Sequence, residues 1–174
     1  MEEAYAVAAD DGVQTIILRA GDFLEREKTG NWFDTYMIPK ITKGVVVYPG
    51  PLDRVHAWVY LPDLARAMVG LAERRGTLGV FSAIGFEGFN LTGAELIAAI
   101  ERLCGRTLVV KSMPWRMMRL LASLSRPMRE VIEMRYLWQV PHSIDGTLLK
   151  ALLPEFDPTP IDNALGNVLP ADAI

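Results

Sequence analysis

The feature that most constrains the fold is an apolar run, residues 13–18, that ends in a polar turn at residues 19–23. Polar and apolar residues do not alternate along this run, so it predicts a β-strand that is buried on both faces. Strands of that kind belong to parallel sheets covered by helices, in which ligands bind outside the carboxyl ends of the strands. The first candidates for ligand contact are therefore Ala20, Gly21, Asp22 and Phe23.

Composition narrows the class of protein. The 174 residues, 51% of them hydrophobic, are predicted to form a single domain over residues 1–174 with an ample core. A net charge of −3 argues against a nucleic-acid partner and favours a small molecule or another protein. The lone Cys104 excludes an internal disulfide, and no apolar run approaches the ~20 residues that span a bilayer. The acidic start at residues 1–3 is unlike a secretion signal, so a cytoplasmic location is expected.

Strands and helices alternate along the chain, which predicts an α/β fold. Further strands are predicted at 45–48, 54–60, 77–83 and 107–111. The strand at 77–83 is predicted to be buried, like the strand at 13–18. Helices are predicted at 2–9, 32–43 with a break at Pro39, 62–74, 93–104, 114–125 and 127–138, and two short ones between 143 and 169, split by 154–160. Thr92 and Glu95 form a capping box, Asp63 is predicted to be an N-cap, and the uncapped helix at 2–9 suggests a start upstream of this chain.

Three segments in this order carry a family resemblance. They are Arg19-Ala-Gly-Asp-Phe after the first strand, His56-Ala-Trp-Val-Tyr-Leu-Pro-Asp-Leu-Ala-Arg-Ala, and Phe89-Asn90 before a Thr-x-x-Glu helix. Together they resemble the C-terminal half of an extended short-chain dehydrogenase/reductase of the NAD-dependent epimerase/dehydratase type. The resemblance runs from residue 2 to about residue 169. It implies the distal part of a Rossmann-like parallel sheet with a helical, substrate-side C-terminal region.

The resemblance also implies a site. In the family, the strand that ends in Arg lies against the nicotinamide end of NAD or NADP, and later segments wall the substrate pocket. The implied cofactor contacts are Ala20, Gly21, Asp22 and Phe23, and the implied substrate contacts are Asp22, Trp32, Arg54 and His56. Asp22 fits a cap of the following turn equally well, and His56 on an apolar strand also fits a hydrogen-bonded, half-buried histidine.

The parts of the family that carry the chemistry are missing. No strand leads through a Gly-rich turn into a helix, and Gly85-Phe-Glu-Gly88 is followed by Phe-Asn-Leu-Thr, which predicts a loop. The catalytic Tyr-x-x-x-Lys is also absent from its place, since Tyr5 is followed four residues later by Ala9. A literal match at Tyr36 and Lys40 contains a proline, and is interpreted as a packed tyrosine and a solvated lysine. No catalytic residue and no metal site are predicted.

Residues 113–138 allow several interpretations. Trp115, Met118, Leu121 and Leu124 share one helical face, and Arg116, Arg119 and Arg126 share another. This pattern fits a core helix, a lid over the substrate pocket, or a surface for an anionic membrane or a partner helix.

The sequence thus predicts the substrate-binding part of an NAD(P)-dependent epimerase/dehydratase-like oxidoreductase that is inactive as an isolated chain. The alternative is a non-enzymatic small-molecule-binding or regulatory module that pairs with another chain. The strands at 13–18 and 77–83 have few neighbours to cover their edges. A homo-oligomer, or a complementary N-terminal cofactor-binding half, is therefore the expected protein partner.

Overall fold

A computed structural model gives the positions of residues 5, 7, 12–122 and 126–174. Most of the helix predicted at residues 2–9 lies outside the described residues. The strands are β1 (Thr15–Arg19), β2 (Asp22–Leu24), β3 (Val45–Tyr48), β4 (Val55–Tyr60), β5 (Phe81–Gly85), β6 (Phe89–Thr92) and β7 (Val109–Ser112). The α-helices are α1 (Leu61–Glu73), α2 (Gly93–Cys104), α3 (Trp115–Leu121), α4 (Arg126–Glu133), α5 (Thr147–Leu152) and α6 (Ile161–Val168).

The strands form three small sheets, and most of their pairs are parallel. β1 pairs with β5 and β3 pairs with β7, both in parallel. The third sheet has the order β2-β4-β6, in which β2 runs parallel and β6 antiparallel to β4. The predicted α/β fold with parallel strands is confirmed.

The predicted burial of the first sheet is wrong. Residues 15–18 of β1 are half-buried instead of buried on both faces, because β5 is the strand that pairs with β1 within the described part of the chain. The strand expected at 77–83 begins later, at Phe81, since a 3₁₀ turn at Arg75–Thr77 precedes it. In β5 Ile84 is buried, and Phe81 is 39% exposed.

The buried side chains form two clusters. The larger one includes Phe33, Trp58, Ile100 and Leu165, and the smaller one, between α1, α5 and β5, includes Leu71 and Ile84. Burial at this scale supplies most of the driving force for folding, at roughly 25 cal/mol per Å² of apolar surface removed from water.

Local signals set the ends of α2. Thr92 Oγ1 accepts a hydrogen bond from the Glu95 amide at 3.2 Å, and the Glu95 carboxylate accepts one from the Thr92 amide at 2.8 Å. Gly105 ends the helix with a φ of 62°, in the left-handed region that favours glycine. The predicted capping box is confirmed.

The prediction that Asp63 is an N-cap is wrong. Tyr60 occupies the N-cap position of α1, and Asp63 lies inside the first turn, 2% exposed. Its carboxylate accepts hydrogen bonds from the amide and hydroxyl of Thr159, at 2.7 and 2.8 Å, and from Arg66 at 2.7 Å. A buried carboxylate requires such partners, so Asp63 ties the C-terminal segment to α1.

The other helical segments are shorter than expected. The stretch 32–43 splits into a π-helical turn, Phe33–Met37, and a 3₁₀ turn, Ile41–Lys43, with Pro39 between them as predicted. Helix α4 continues as a 3₁₀ turn at Met134–Trp138. Residues 123–125, the end of the helix predicted at 114–125, lie outside the described residues.

Candidate functional site

The chain crosses from one sheet to another directly after β1. It leaves β1 at Arg19 and enters β2 at Asp22, whose register partner on β4 is Trp58. A Cβ on Gly21 would lie 2.1 Å from the carbonyl oxygen of Ala57, closer than any real Cβ contact. Glycine is therefore required for this close crossing, which brings Asp22 over β4.

Asp22 meets His56 at this crossing. The Asp22 Oδ2 atom lies 2.6 Å from His56 Nε2. The imidazole side chain is 4% exposed and the carboxylate 29% exposed. The interpretation of His56 as a hydrogen-bonded histidine is confirmed, although the residue is buried instead of half-buried. The interpretation of Asp22 as a turn cap is wrong, because its carboxylate bonds His56 on β4.

Aromatic rings surround the buried imidazole. The indole of Trp138 stacks on it with centroids 3.9 Å apart and planes inclined by 6°. The imidazole of His142 meets it edge-on at 4.3 Å, and the His142 amide donates to the Val55 carbonyl at 3.0 Å. Burial, and then the neighbouring His56, lower the pKa of His142, although the charge of Asp22 acts in the opposite direction.

Tyr48 adds a phenol to this group. It is 2% exposed, and burial together with the negative charge of Asp22 raises the pKa of its hydroxyl. Tyr48 is therefore a neutral phenol at physiological pH and is unsuited to act as a base. Asp22, Tyr48, His56, Trp138 and His142 are called the histidine cluster below.

Two indole donors near the cluster lack partners. Within the described residues, the Nε1 atoms of Trp58 and Trp138 are buried without a hydrogen-bond acceptor. The two rings lie 5.8 Å apart, and Trp58 also contacts His56. Unpaired buried donors are uncommon and costly in native proteins, so the interior around His56 is rich in unused donor capacity.

The remaining predicted site residues lie around the cluster in different ways. Trp32 is 7% exposed and packs against Trp138, with ring centroids 5.4 Å apart. Arg54 lies just before β4, half exposed, and its guanidinium is 3.7 Å from Asp53. Phe23 on β2 is 38% exposed, whereas Ala20 packs against the smaller cluster. The structure thus joins Asp22, Trp32 and His56 through Trp138, and leaves Arg54 on the surface.

Sequence reasoning missed three members of the cluster, namely Tyr48, Trp138 and His142. Tyr48 ends a predicted strand, and Trp138 ends a predicted helix, so neither stands out by pattern. One signal was available, because the chain contains two histidines and both lie in this cluster.

The geometry defines what the cluster can do. His56 holds one oxygen of the Asp22 carboxylate, and the partly exposed carboxylate can accept a hydrogen bond from a ligand hydroxyl. Among the described residues, no group of three or more His, Cys, Asp or Glu side chains is placed to hold a metal ion. A groove of about 1100 Å³ lies elsewhere, between residues 25–42 and 166–174.

The segment Gly85-Phe-Glu-Gly88 and the Tyr36-x-x-x-Lys40 match, the two weaker family signals, have ordinary structural roles. The Phe86 amide donates to the Arg19 carbonyl at 2.8 Å, and Gly88, with a φ of 53°, leads into β6 instead of a helix. The predicted loop is confirmed at residues 86–88, while Gly85 is the last residue of β5. Tyr36 packs on Trp32 with centroids 5.0 Å apart, while Lys40 is exposed, as predicted.

A dinucleotide phosphate needs free amides at the start of a helix. In α2 the Glu95 amide is bonded by the capping box and the Ala94 amide donates to the Leu52 carbonyl at 3.0 Å, and α1 carries Pro62, which has no amide hydrogen, in its first turn. The turn before α5 contains Gly146, but the Glu87 side chain already lies beside it, 2.8 Å from where a Cβ on Gly146 would be. The starts of α1 and α2 therefore offer few free amides to a pyrophosphate.

Within the described residues, no helix is long and apolar enough to cross a membrane.

No family model matches this sequence, and no curated protein matches it. Solved structures do share the fold. One is human epimerase family protein SDR39U1 (isoform 2), whose structure was determined with NADPH. The match covers 88% of this chain and 47% of the human chain, with a TM-score of 0.64 and 15% sequence identity. Another is UDP-glucuronic acid 4-epimerase from Bacillus cereus, in complex with UDP-glucuronic acid and NAD. The match covers 96% of this chain and 48% of the epimerase chain, with a TM-score of 0.69 and 14% sequence identity.

A putative epimerase from Burkholderia cenocepacia matches 99% of this chain and 51% of its own, with a TM-score of 0.69 and 17% identity. The chain spans about half the length of these three structures. The predicted Rossmann-like class is confirmed, and the three structural neighbours are described as epimerases, the human one with NADPH and the Bacillus cereus one with NAD. At these identities the likeness establishes the fold.

Proposed function

We propose that this chain, whose fold is shared with NAD- and NADPH-binding epimerases, is the substrate-binding part of an NAD(P)-dependent epimerase/dehydratase-like oxidoreductase of the cytoplasm. The observation that carries the proposal is the pair formed by Asp22, which follows β1, and His56 on β4. Ligands of parallel α/β sheets bind outside the carboxyl ends of the strands. A partly exposed carboxylate, fixed by a buried imidazole, lies there.

Each site residue has a role in this proposal. Asp22 accepts a hydrogen bond from a substrate hydroxyl, and His56 acts as its positioning residue. Arg54, with half of its side chain exposed, binds a phosphate or carboxylate of the substrate. Trp32 and Trp138 form the wall behind the pair. Residues 20–23 meet the nicotinamide end of the cofactor, on the analogy of the resemblance.

The cofactor phosphates are bound elsewhere in this proposal. Two observations support this: the starts of α1 and α2 offer few free amides, and the chain spans about half the length of its structural neighbours. A complementary cofactor-binding half, which also supplies the proton-transfer tyrosine, completes the activity. NAD or NADP is then a cofactor of the complete protein, and this chain alone is inactive.

A non-enzymatic binding or regulatory module is the second candidate. It is favoured by apolar exposure around β1 and β5, where Val13 is 56%, Val80 52% and Phe81 39% exposed. Such an edge fits a chain that pairs with a separate partner. In both candidates Asp22 and Arg54 contact the small molecule, and the two differ in whether the completed protein transfers hydride.

The proposal is tested by titrating the ¹⁵N-labelled chain with UDP-glucuronic acid, the sugar nucleotide held by one structural neighbour. Amide shifts are expected to centre on Asp22, Arg54 and His56. The Asp22→Asn variant should bind about tenfold more weakly, because a hydrogen bond to a charged acceptor is lost. Asp34→Asn, on the groove between residues 25–42 and 166–174, is the matched control. Shifts that centre on that groove would overturn the proposal.

A further inference from the structure

Helix α3 has two chemically different sides. Its inner side consists of Trp115, Met118 and Ala122, of which Met118 and Ala122 are buried. The Trp115 indole donates to the Pro49 carbonyl at 2.7 Å, which fastens this side to the core. Of the face predicted at Trp115, Met118, Leu121 and Leu124, Met118 is buried in the core and Trp115 is half-buried, while the Leu121 side chain and Leu124 lie outside the described residues.

The outer side of α3 combines exposed apolar and basic side chains. Its members are Arg116, Met117, Arg119 and Leu120, which span an arc of roughly 160° at 100° per residue. Leu120 is 76% exposed and Met117 is 57% exposed. Arg116 and Arg119 form no ion pair within the part of the chain that the structure describes. These four residues are called the α3 outer face.

Charge is concentrated around this face. Residues 111–135 contain six basic residues and two acidic ones, in a chain whose net charge is −3. The basic residues are Lys111, Arg116, Arg119, Arg126, Arg129 and Arg135, and the acidic ones are Glu130 and Glu133. Arg126 and Glu130 pair with each other on α4 at 3.3 Å. Arg116 and Arg119 therefore lie beside two exposed apolar side chains, in a segment of the sequence with an excess of positive charge.

We propose that the α3 outer face docks on the surface of an anionic lipid bilayer. The arginines complement the lipid phosphates, and Leu120 and Met117 enter the boundary between headgroups and acyl chains. Two apolar side chains are too few for the desolvated core of a protein interface, but they suffice for shallow, reversible lipid contact. This inference is independent of the function proposed above.

The test is co-sedimentation of the full chain with phosphatidylcholine vesicles that contain or lack phosphatidylserine, with a vesicle-free spin to subtract self-association. Binding is expected with the anionic vesicles, at least about tenfold above the neutral ones, and it should weaken as salt is raised. Replacing Arg116 and Arg119 together by Gln should lower the partition coefficient by about fivefold per arginine.

Two further variants separate this site from general electrostatics. Leu120→Gln keeps every charge and should still weaken binding several-fold. Arg26→Gln combined with Lys28→Gln removes two exposed charges elsewhere and should leave binding unchanged. Circular dichroism establishes that each variant is folded. Equal binding of wild type to both vesicle types, or an equal loss in the Arg26/Lys28 control, would overturn the proposal.

Discussion

The imidazole of His56 lies flat against the indole of Trp138, with ring centroids 3.9 Å apart, while its Nε2 atom lies 2.6 Å from the Asp22 carboxylate. Ring packing fixes the plane of the imidazole, and the hydrogen bond fixes the carboxylate. A functional group gains precision when its supporting residues are locked in this way. The relationship between His56 and Trp138 therefore determines where Asp22 is presented.

Loss of the Asp22 carboxylate should destabilise the fold. Asp22→Ala leaves the His56 imidazole buried without its partner, and we expect the free energy of unfolding to fall by about 2 kcal/mol. Burial is the main cause of the raised pKa of Tyr48 and the Asp22 charge adds to it, so the variant should lower this pKa only in part. Urea unfolding and ultraviolet titration of tyrosine measure the two effects. The control Asp53→Asn, at a side chain that is 74% exposed, should change neither the stability nor the pKa of Tyr48. An Asp22→Ala variant as stable as wild type would contradict this prediction.

The lowered pKa of His142 predicts a pH dependence of stability. In the unfolded chain this histidine takes up a proton as pH falls through about 6.5, whereas the folded chain resists protonation until a lower pH. Stability should therefore fall as pH drops below about 6.5, and the difference should level off below the folded pKa. Melting temperatures from pH 7.5 to 5 measure the decline.

His142→Gln isolates this contribution from carboxylates such as Glu95, whose lowered pKa acts at more acidic pH. The variant should show a flatter profile between pH 7.5 and 5 than the wild type. Parallel profiles for the two proteins would show that His142 does not titrate as described.

Gly21 should not tolerate a side chain. Gly21→Ala places a Cβ 2.1 Å from the Ala57 carbonyl oxygen and must push β2 away from β4, at an expected cost of about 3 kcal/mol. Gly166→Ala, inside α6 with open space around it, is the matched control and should stabilise the chain by about 0.5–1 kcal/mol. Thermal unfolding of both variants decides the matter, and equal melting temperatures would refute the close crossing.

The exposed apolar residues around β1 and β5 should cause association. The chain alone is expected to elute as a species larger than a monomer, or to bind a hydrophobic dye, because an uncovered strand edge recruits partners. Val80→Lys should reduce either effect, while Leu148→Lys, at a side chain of similar exposure on α5, should not. Light scattering coupled to gel filtration reports the mass, and a monomeric wild type without dye binding would count against the prediction.

Local chemistry explains what could be predicted. The capping box of Thr92 and Glu95 depends on residues three apart, and the run of β-branched valines at 45–47 favours a strand, so both follow from the sequence. The contact of Asp22 with His56 joins residues 34 positions apart on different strands, and no local pattern encodes it. The partners of Asp63 lie in the distant segment around Thr159, which is why an ordinary cap was expected instead.

The burial of β1 was misjudged for a related reason. A run of apolar residues indicates that a strand is suited to a covered sheet, but it does not say which neighbours provide the cover. Within the described residues β1 pairs with β5, so its apolar side chains are half-buried. The apolar side chains of β1 thus keep an exposed surface that a partner half would cover.

The most direct test of the account is titration of the purified chain with NADH and NADPH, followed by nicotinamide fluorescence and calorimetry. We expect the dinucleotide phosphates to bind outside this chain, because Pro62 lies in the first turn of α1 and the Ala94 and Glu95 amides of α2 are already bonded. We expect no saturable binding of either nucleotide at micromolar concentration. Saturable micromolar binding by the chain alone would contradict the account.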